Sequence, residues 1–174
     1  EERVIVSDVA GTTRDATDTV VENAFGKYVF IDTAGIRRKS KVDEEIERYS
    51  VLRAYMAVDR SDVCVIMLDA TVGFTEQDSK VAGYAHEQGK GCIVAVNKWD
   101  AVDKDGRTMQ EYRKKLENDF SFMSYVPFIF ISAKTGQRID KLYELINFVN
   151  AQNAMRVPTG RLNEMLAFAT ARVE

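Results

Sequence analysis

The chain has 174 residues, 45% of them hydrophobic and 29% charged, with a net charge of −3 and a pI near 5.4. That is enough for one α/β domain with a full core and a short appendage, and no repeat or low-complexity tract interrupts it. The acidic balance excludes a global attraction to nucleic acid or anionic membrane and leaves only local basic patches for such contacts.

Apolar runs alternate with helical patterns along the chain, the order of a βαβ architecture. Residues 3–6 lead into Gly11-Thr12-Thr13-Arg14-Asp15. The hydroxyls of this loop suit an oxygen ligand to Mg²⁺ that engages only when a terminal phosphate is present. Residues 19–25 (TVVENAF) and 28–31 (YVFI) are predicted strands joined at Gly26-Lys27, a two-residue hairpin signal. Asp32-Thr33-Ala34-Gly35 comes next. An Asp directly after an apolar strand suits a hard cation held through water. The small residue and glycine behind it let a backbone N–H approach a phosphate closely.

Residues 42–58 are spaced as a helix through Ile46, Tyr49, Leu52, Arg53 and Met56, with acids early and arginines later, as the helix dipole favours. Residues 63–68 (VCVIML) form a continuously apolar run, typical of a strand covered on both faces. Thr75 is the predicted N-cap of a helix reaching Gln88, with Gln77 and Asp78 in its first turn and Gly89 as its stop. His86, the chain's single histidine, falls on the exposed side of that helix, so Ser-His-Asp chemistry and histidine-rich metal sites are poor fits. A buried strand spans 92–96, a charged helix 108–119, a strand 126–131 and a helix 139–151. Cys64 and Cys92 lie inside apolar runs without metal-ligand spacing and read as reduced core thiols of a cytosolic protein. Pro158-Thr159-Gly160 breaks the pattern, and a new helix over 161–172 looks like the start of a second unit. No apolar stretch approaches the roughly 18–20 residues that span a bilayer, and no signal peptide opens the chain. The expected setting is cytoplasmic, with no membrane partner.

Besides the first loop, three polar clusters follow apolar strands: Asp32-Thr33-Ala34-Gly35, Asn97-Lys98-Trp99-Asp100 and Ser132-Ala133-Lys134. In a doubly wound sheet the C-terminal strand ends share one edge, where ligands bind, so these clusters are expected to converge. Asn97-Lys98-Trp99-Asp100 is the most informative. A fixed carboxylate offers only acceptors, and guanine presents two donors on one edge, its N1–H and exocyclic amine; Asp100 can take both. Adenine would leave that carboxylate desolvated and unpaired, a difference that can discriminate by as much as ~10⁴. The Lys98 stem can lie over a purine face and Asn97 can pin neighbouring loops. For Trp99, packing is favoured over base contact. The backbone N–H of a small residue in Ser132-Ala133-Lys134 can donate to the guanine O6.

Taken in this order, the four clusters resemble those of the translation-factor-type P-loop GTPases. GTTRD together with DTAGIRRK resembles the TrmE–Era–EngA branch, and most closely the second GTPase domain of the EngA (Der) family. The resemblance implies a three-layer α/β P-loop NTPase fold, with a mostly parallel sheet and one antiparallel edge hairpin. It implies a GTPase domain over 1–155, then a linker and the first helix of a C-terminal KH-like domain over 156–174. It assigns Thr13 as the switch ligand to Mg²⁺, Asp32 as a ligand to Mg²⁺ through water, and the Gly35 amide as a contact to the γ-phosphate. Asn97, Lys98 and Asp100 would hold guanine, with Ser132, Ala133 and Lys134 completing the base pocket.

The resemblance further implies GTP or GDP with Mg²⁺ as ligands and K⁺ as an activator. GTP hydrolysis to GDP and phosphate would act as a switch in assembly of the large ribosomal subunit. Partners would be that subunit or its RNA, with a first GTPase domain and a KH-like domain in the same parent chain. Two departures qualify it. Ile36 follows DTAG where many GTPases carry the glutamine that orients the attacking water, and no isoleucine can do that. No Gly-x-x-x-x-Gly-Lys-Ser/Thr occurs, so the expectation is a domain lacking its first strand, phosphate loop and first helix. The rival readings are a GTPase-fold scaffold without hydrolysis and an RNA-binding module using Arg37, Arg38, Lys39, Lys41 and the tail helix. For that basic run, a solvated loop is favoured over RNA contact.

Overall fold

The computed structural model describes residues 18–31, 44–103 and 105–172, with side chains in the helix that opens at residue 44 described from residue 51 onward. The elements run β1 (Thr19–Asn23), β2 (Gly26–Phe30), α1 (Glu44–Arg60), β3 (Val63–Asp69), α2 (Glu76–Glu87), β4 (Gly91–Asn97), α3 (Thr108–Asp119), β5 (Phe128–Phe130), α4 (Ile139–Asn153) and α5 (Thr159–Thr170). Single 3₁₀ turns at Trp99–Ala101 and Ser121–Met123 lie between β4 and β5.

Strands β3, β4 and β5 form a parallel sheet in that order. The central strand β4 shows why its sequence is apolar without alternation. Cys92, Val94 and Val96 point into one core with Val58, Ala82, Ala85, Leu116 and Phe120, while Ile93 and Ala95 point into the other with Leu142 and Val149. Period-two side chains thus serve two cores, and helices cover both faces to give three layers. Helix α2 starts as its sequence predicts. Asp78 Oδ2 accepts from the Thr75 N–H at 2.9 Å and hydroxyl at 2.6 Å, and Thr75 Oγ1 accepts the Asp78 N–H at 3.4 Å. Gly89 takes φ +65° just past its end, in the left-handed region that favours glycine.

Three local expectations are corrected. The hairpin turn falls at Ala24-Phe25 rather than Gly26-Lys27, because Asn23 Oδ1 accepts the Phe25 N–H at 2.8 Å and closes the chain two residues earlier. In α1, Leu52 and Met56 are exposed while Ala54 and Val58 are buried. The stacking of Tyr55 on Tyr84 of α2, 4.1 Å between centroids, goes with a face offset from the one the spacing favours. Strand β5 keeps only three residues; Pro127 before it has no N–H to give a ladder.

The hairpin β1–β2 is a sheet of its own and is not hydrogen-bonded to β3. It rests on α4 through Phe25 stacked on Tyr143 at 5.8 Å, the Tyr28 hydroxyl donating to Asn147 Oδ1 at 3.1 Å, and Asn147 Nδ2 donating to the Phe25 carbonyl at 3.0 Å. Arg60 of α1 pairs with Asp18 at its base. Helix α5 buries none of its residues. Among the described residues, no helix is long and apolar enough to cross a membrane.

Candidate strand-end recognition site

Parallel pairing puts Asp69 of β3 directly opposite Asn97 of β4, and Ile131 bonds back to Val96 just past β5, so all three strands finish at one edge. Asn97 organises that edge. Its Oδ1 accepts the Lys98 N–H at 2.8 Å and the Ala133 N–H at 2.9 Å, tying the end of β4 to the loop after β5. Its carbonyl accepts the Ala70 N–H at 2.9 Å, which ties in the end of β3. One amide side chain and one peptide carbonyl therefore fix three loops.

Lys98 adopts φ 61°, ψ 31°, a left-handed conformation that costs a non-glycine residue about 1–2 kcal/mol. The cost is met by the Asn97 contact and by the bonds on either side. The Trp99 N–H donates to the Ile131 carbonyl at 3.1 Å and the Ala101 N–H to the Lys98 carbonyl at 2.9 Å. The Trp99 indole is 2% exposed and packs on Phe130 at 4.5 Å and edge-on to Tyr112 at 5.6 Å. Trp99 is thus the anchor of the turn rather than its reading surface, as the sequence favoured. With Trp99 turned inward, Asp100 lies on the exposed side of the 3₁₀ turn.

The Ser132-Ala133-Lys134 loop is also built from within. Ser132 is fully buried; its N–H donates to the Gln137 carbonyl at 3.2 Å and its Oγ accepts the Thr135 N–H at 3.2 Å. Lys134 is exposed. The Ala133 N–H, one of the small-residue donors the sequence offers to a base oxygen, is engaged here by Asn97.

Two contributors were passed over in the sequence. Arg138, itself left-handed at φ 60°, donates to the Phe130 carbonyl at 3.2 Å and braces the loop from α4. Asp69 receives the Lys98 ammonium at 2.5 Å and the Thr71 N–H and hydroxyl at 2.9 and 2.6 Å. Burial pushes the Asp69 carboxyl up, but the Lys98 ammonium and the Thr71 donors outweigh it and hold the group at about 2. The signal for Asp69 was available: it is a polar residue closing an apolar strand, as Asp32 and Asn97 are.

Thr13, Asp32 and Gly35, together with Ile36 and the basic run behind it, lie outside the described residues. Among the described residues, no cluster of three or more His, Cys, Asp or Glu side chains is placed to hold a metal ion. What the edge presents is an exposed carboxylate, an ammonium on a fixed stem and a rigid amide bracket. That donor and acceptor set fits the hydrogen-bonding edge of guanine, whose two N–H donors match a carboxylate.

The family described as 50S ribosome-binding GTPase matches residues 1–98. GTPase Der of Acetivibrio thermocellus is 60% identical over 174 residues, all of this chain and 40% of that protein. Crystal structures of Aquifex aeolicus Era bound to GDP·AlF4⁻ and of Era with MgGDPNP and part of 16S ribosomal RNA each give a TM-score of 0.60 at 26% identity, covering 82% of this chain and 46% of theirs. The chain thus spans about 40% of the length of the curated relatives it matches.

Proposed function

This chain belongs to the 50S ribosome-binding GTPase family, and on that premise we propose that its strand-end edge is the guanine-recognition half of a GTP-hydrolysing switch. The observation that carries the proposal is the Asn97 bracket, which holds Lys98 and the Ala133 loop in one arrangement whose exposed acceptor is Asp100. In this reading Asp100 accepts both donors of the guanine edge, the Lys98 stem covers a ring face, and Ser132, Ala133 and Lys134 wall the pocket. Preorganised hydrogen bonding of this kind gives base selectivity because a base lacking the matching groups leaves the carboxylate unpaired.

The phosphate and metal half is carried by residues 11–15 and 32–35 together with a phosphate loop elsewhere in the intact protein. Thr13 and Asp32 offer a hydroxyl and a carboxylate, hard oxygens suited to Mg²⁺, and Gly35 offers an amide to the γ-phosphate. Mg²⁺, when bound, would neutralise charge on the phosphates; K⁺ as activator is what the family resemblance implies, and Ile36 itself cannot orient the attacking water. The family's description as 50S ribosome-binding supports a role at the large ribosomal subunit, and the likeness to Era with 16S ribosomal RNA supports contact with ribosomal RNA more generally; the expected setting is the cytoplasm. Residues 1–155 form the GTPase domain, and 156–174 lead into a KH-like domain. The absence of any buried residue in α5 favours that division.

The test is Asp100→Asn in the intact protein. An amide replaces one acceptor by a donor, so GDP affinity should fall by at least about 100-fold, while the xanthine nucleotide, which presents an oxygen in place of the amine, gains affinity. Unchanged GDP affinity would remove Asp100 from base recognition and the proposal with it.

A further inference from the structure

The reading of the edge as a guanine site leaves Asp69 without a role, and its geometry is more specific than a strand terminus requires. The turn after β3 uses the Asp69 carbonyl, which accepts the Val72 and Gly73 N–H groups at 3.0 and 2.8 Å, and the Oδ1 atom, which accepts both Thr71 donors. Oδ2 takes no part in that turn. It is directed at the Lys98 ammonium, 2.5 Å away. Lys98 therefore leaves β4 in a fixed backbone conformation and is fixed again at its far end on β3, so its methylene stem runs across the two strand ends. The Lys98 side chain is 59% exposed, and exposed ion pairs contribute little to stability, so the pair is poorly explained as a fold stabiliser.

Resting on the proposed guanine site, we propose that Asp69, clamped by Thr71, is a positioning residue for nucleotide recognition. It holds the Lys98 ammonium so that the stem is already laid down as the platform on which the purine ring sits. A free lysine loses much of its rotamer freedom on forming such a platform, and a stem ordered beforehand avoids that loss at the moment of binding.

Asp69→Asn separates this role from the turn, because the amide oxygen still accepts from Thr71 while the amide nitrogen faces the ammonium with no acceptor. GDP is titrated against the intact wild-type protein, D69N, Lys98→Ala, and the double variant. The expected result is a loss of about five- to tenfold for D69N, a loss at least as large for K98A, and no further loss when D69N is added to K98A. Equal or tighter GDP binding by D69N overturns the inference, as does a D69N penalty of the same size with and without Lys98, the mark of a damaged turn. If wild type binds GDP, and D69N matches it while D100N does not, the guanine site stands and only the role of Asp69 falls. If wild type binds no GDP, both fall.

Discussion

Asn97 is the residue on which the local chemistry turns. Its side-chain oxygen takes two backbone N–H groups from different loops, and each such bond nets about 0.5–1.5 kcal/mol, comparable to the cost of the left-handed Lys98 beside it. A strained lysine backbone held by surrounding bonds points to a functional position rather than to folding convenience. Asp69 adds a pH signature. Its carboxyl is held at about 2 in the folded chain against 3.8 ordinarily, so its stabilising contribution is complete above pH 4 and is lost as pH falls through 2. Urea unfolding between pH 5 and 2 should therefore show a small acid-side loss in wild type that D69N lacks; the loss is small because Lys98 is largely exposed and screened. Identical acid limbs in the two proteins would contradict the assignment. That Asn97, Lys98, Asp100 and Ser132-Ala133-Lys134 would gather at one strand-end edge was legible in sequence, since polar groups ending a buried strand need a reason. The engagement of the Ala133 N–H by Asn97 was not, because hydrogen-bond partners 36 residues apart leave no local trace.

At the scale of elements, the strands and helices of the parallel sheet followed from patterning, except that β5 keeps only part of the apolar run that predicts it. The continuous apolar run of β4 marks burial on both faces, and the Thr75–Asp78 box marks a helix start. Two readings failed where the deciding contact is distant or where a side chain outbids a glycine. Helix α1 is apolar around much of its circumference, so packing on α2 rather than periodicity selects the buried face. In the hairpin, the Asn23 side chain closes the turn before Gly26 is reached. The close approach of α4 to β4 is likewise invisible in sequence, yet it favours glycine at position 91: a Cβ there would stand 2.9 Å from Val149 Cγ1 and 3.5 Å from Val63 Cγ2. Gly91→Ala should destabilise the fold by about 1–3 kcal/mol, and Val149→Ala in the same chain should recover part of that loss. Denaturant midpoints of the two single variants and the double decide it; simple additivity would mean that the helix shifts freely and the contact is not limiting.

Over the whole molecule, the parallel sheet is covered by helices on both faces, the hairpin is tied to α4 rather than to β3, and α5 exposes Leu162, Met165 and Leu166 along one stripe. The first feature was legible in the sequence, as was the break at Pro158-Thr159-Gly160 that sets α5 apart; the seat of the hairpin on α4 depends on contacts that patterning does not encode. Every described part of the candidate site gathers at one edge of the sheet, the edge at which an open α/β sheet binds ligands. Whether this edge reads guanine is tested most directly by titrating the intact protein with GDP in Mg²⁺, with ATP as competitor. GDP should bind saturably, undisplaced by a hundredfold excess of ATP, and should stabilise the bound protein by about 2.7 kcal/mol when at 100 times its dissociation constant. Displacement by ATP at concentrations similar to GDP, or no binding at millimolar GDP, would contradict that reading.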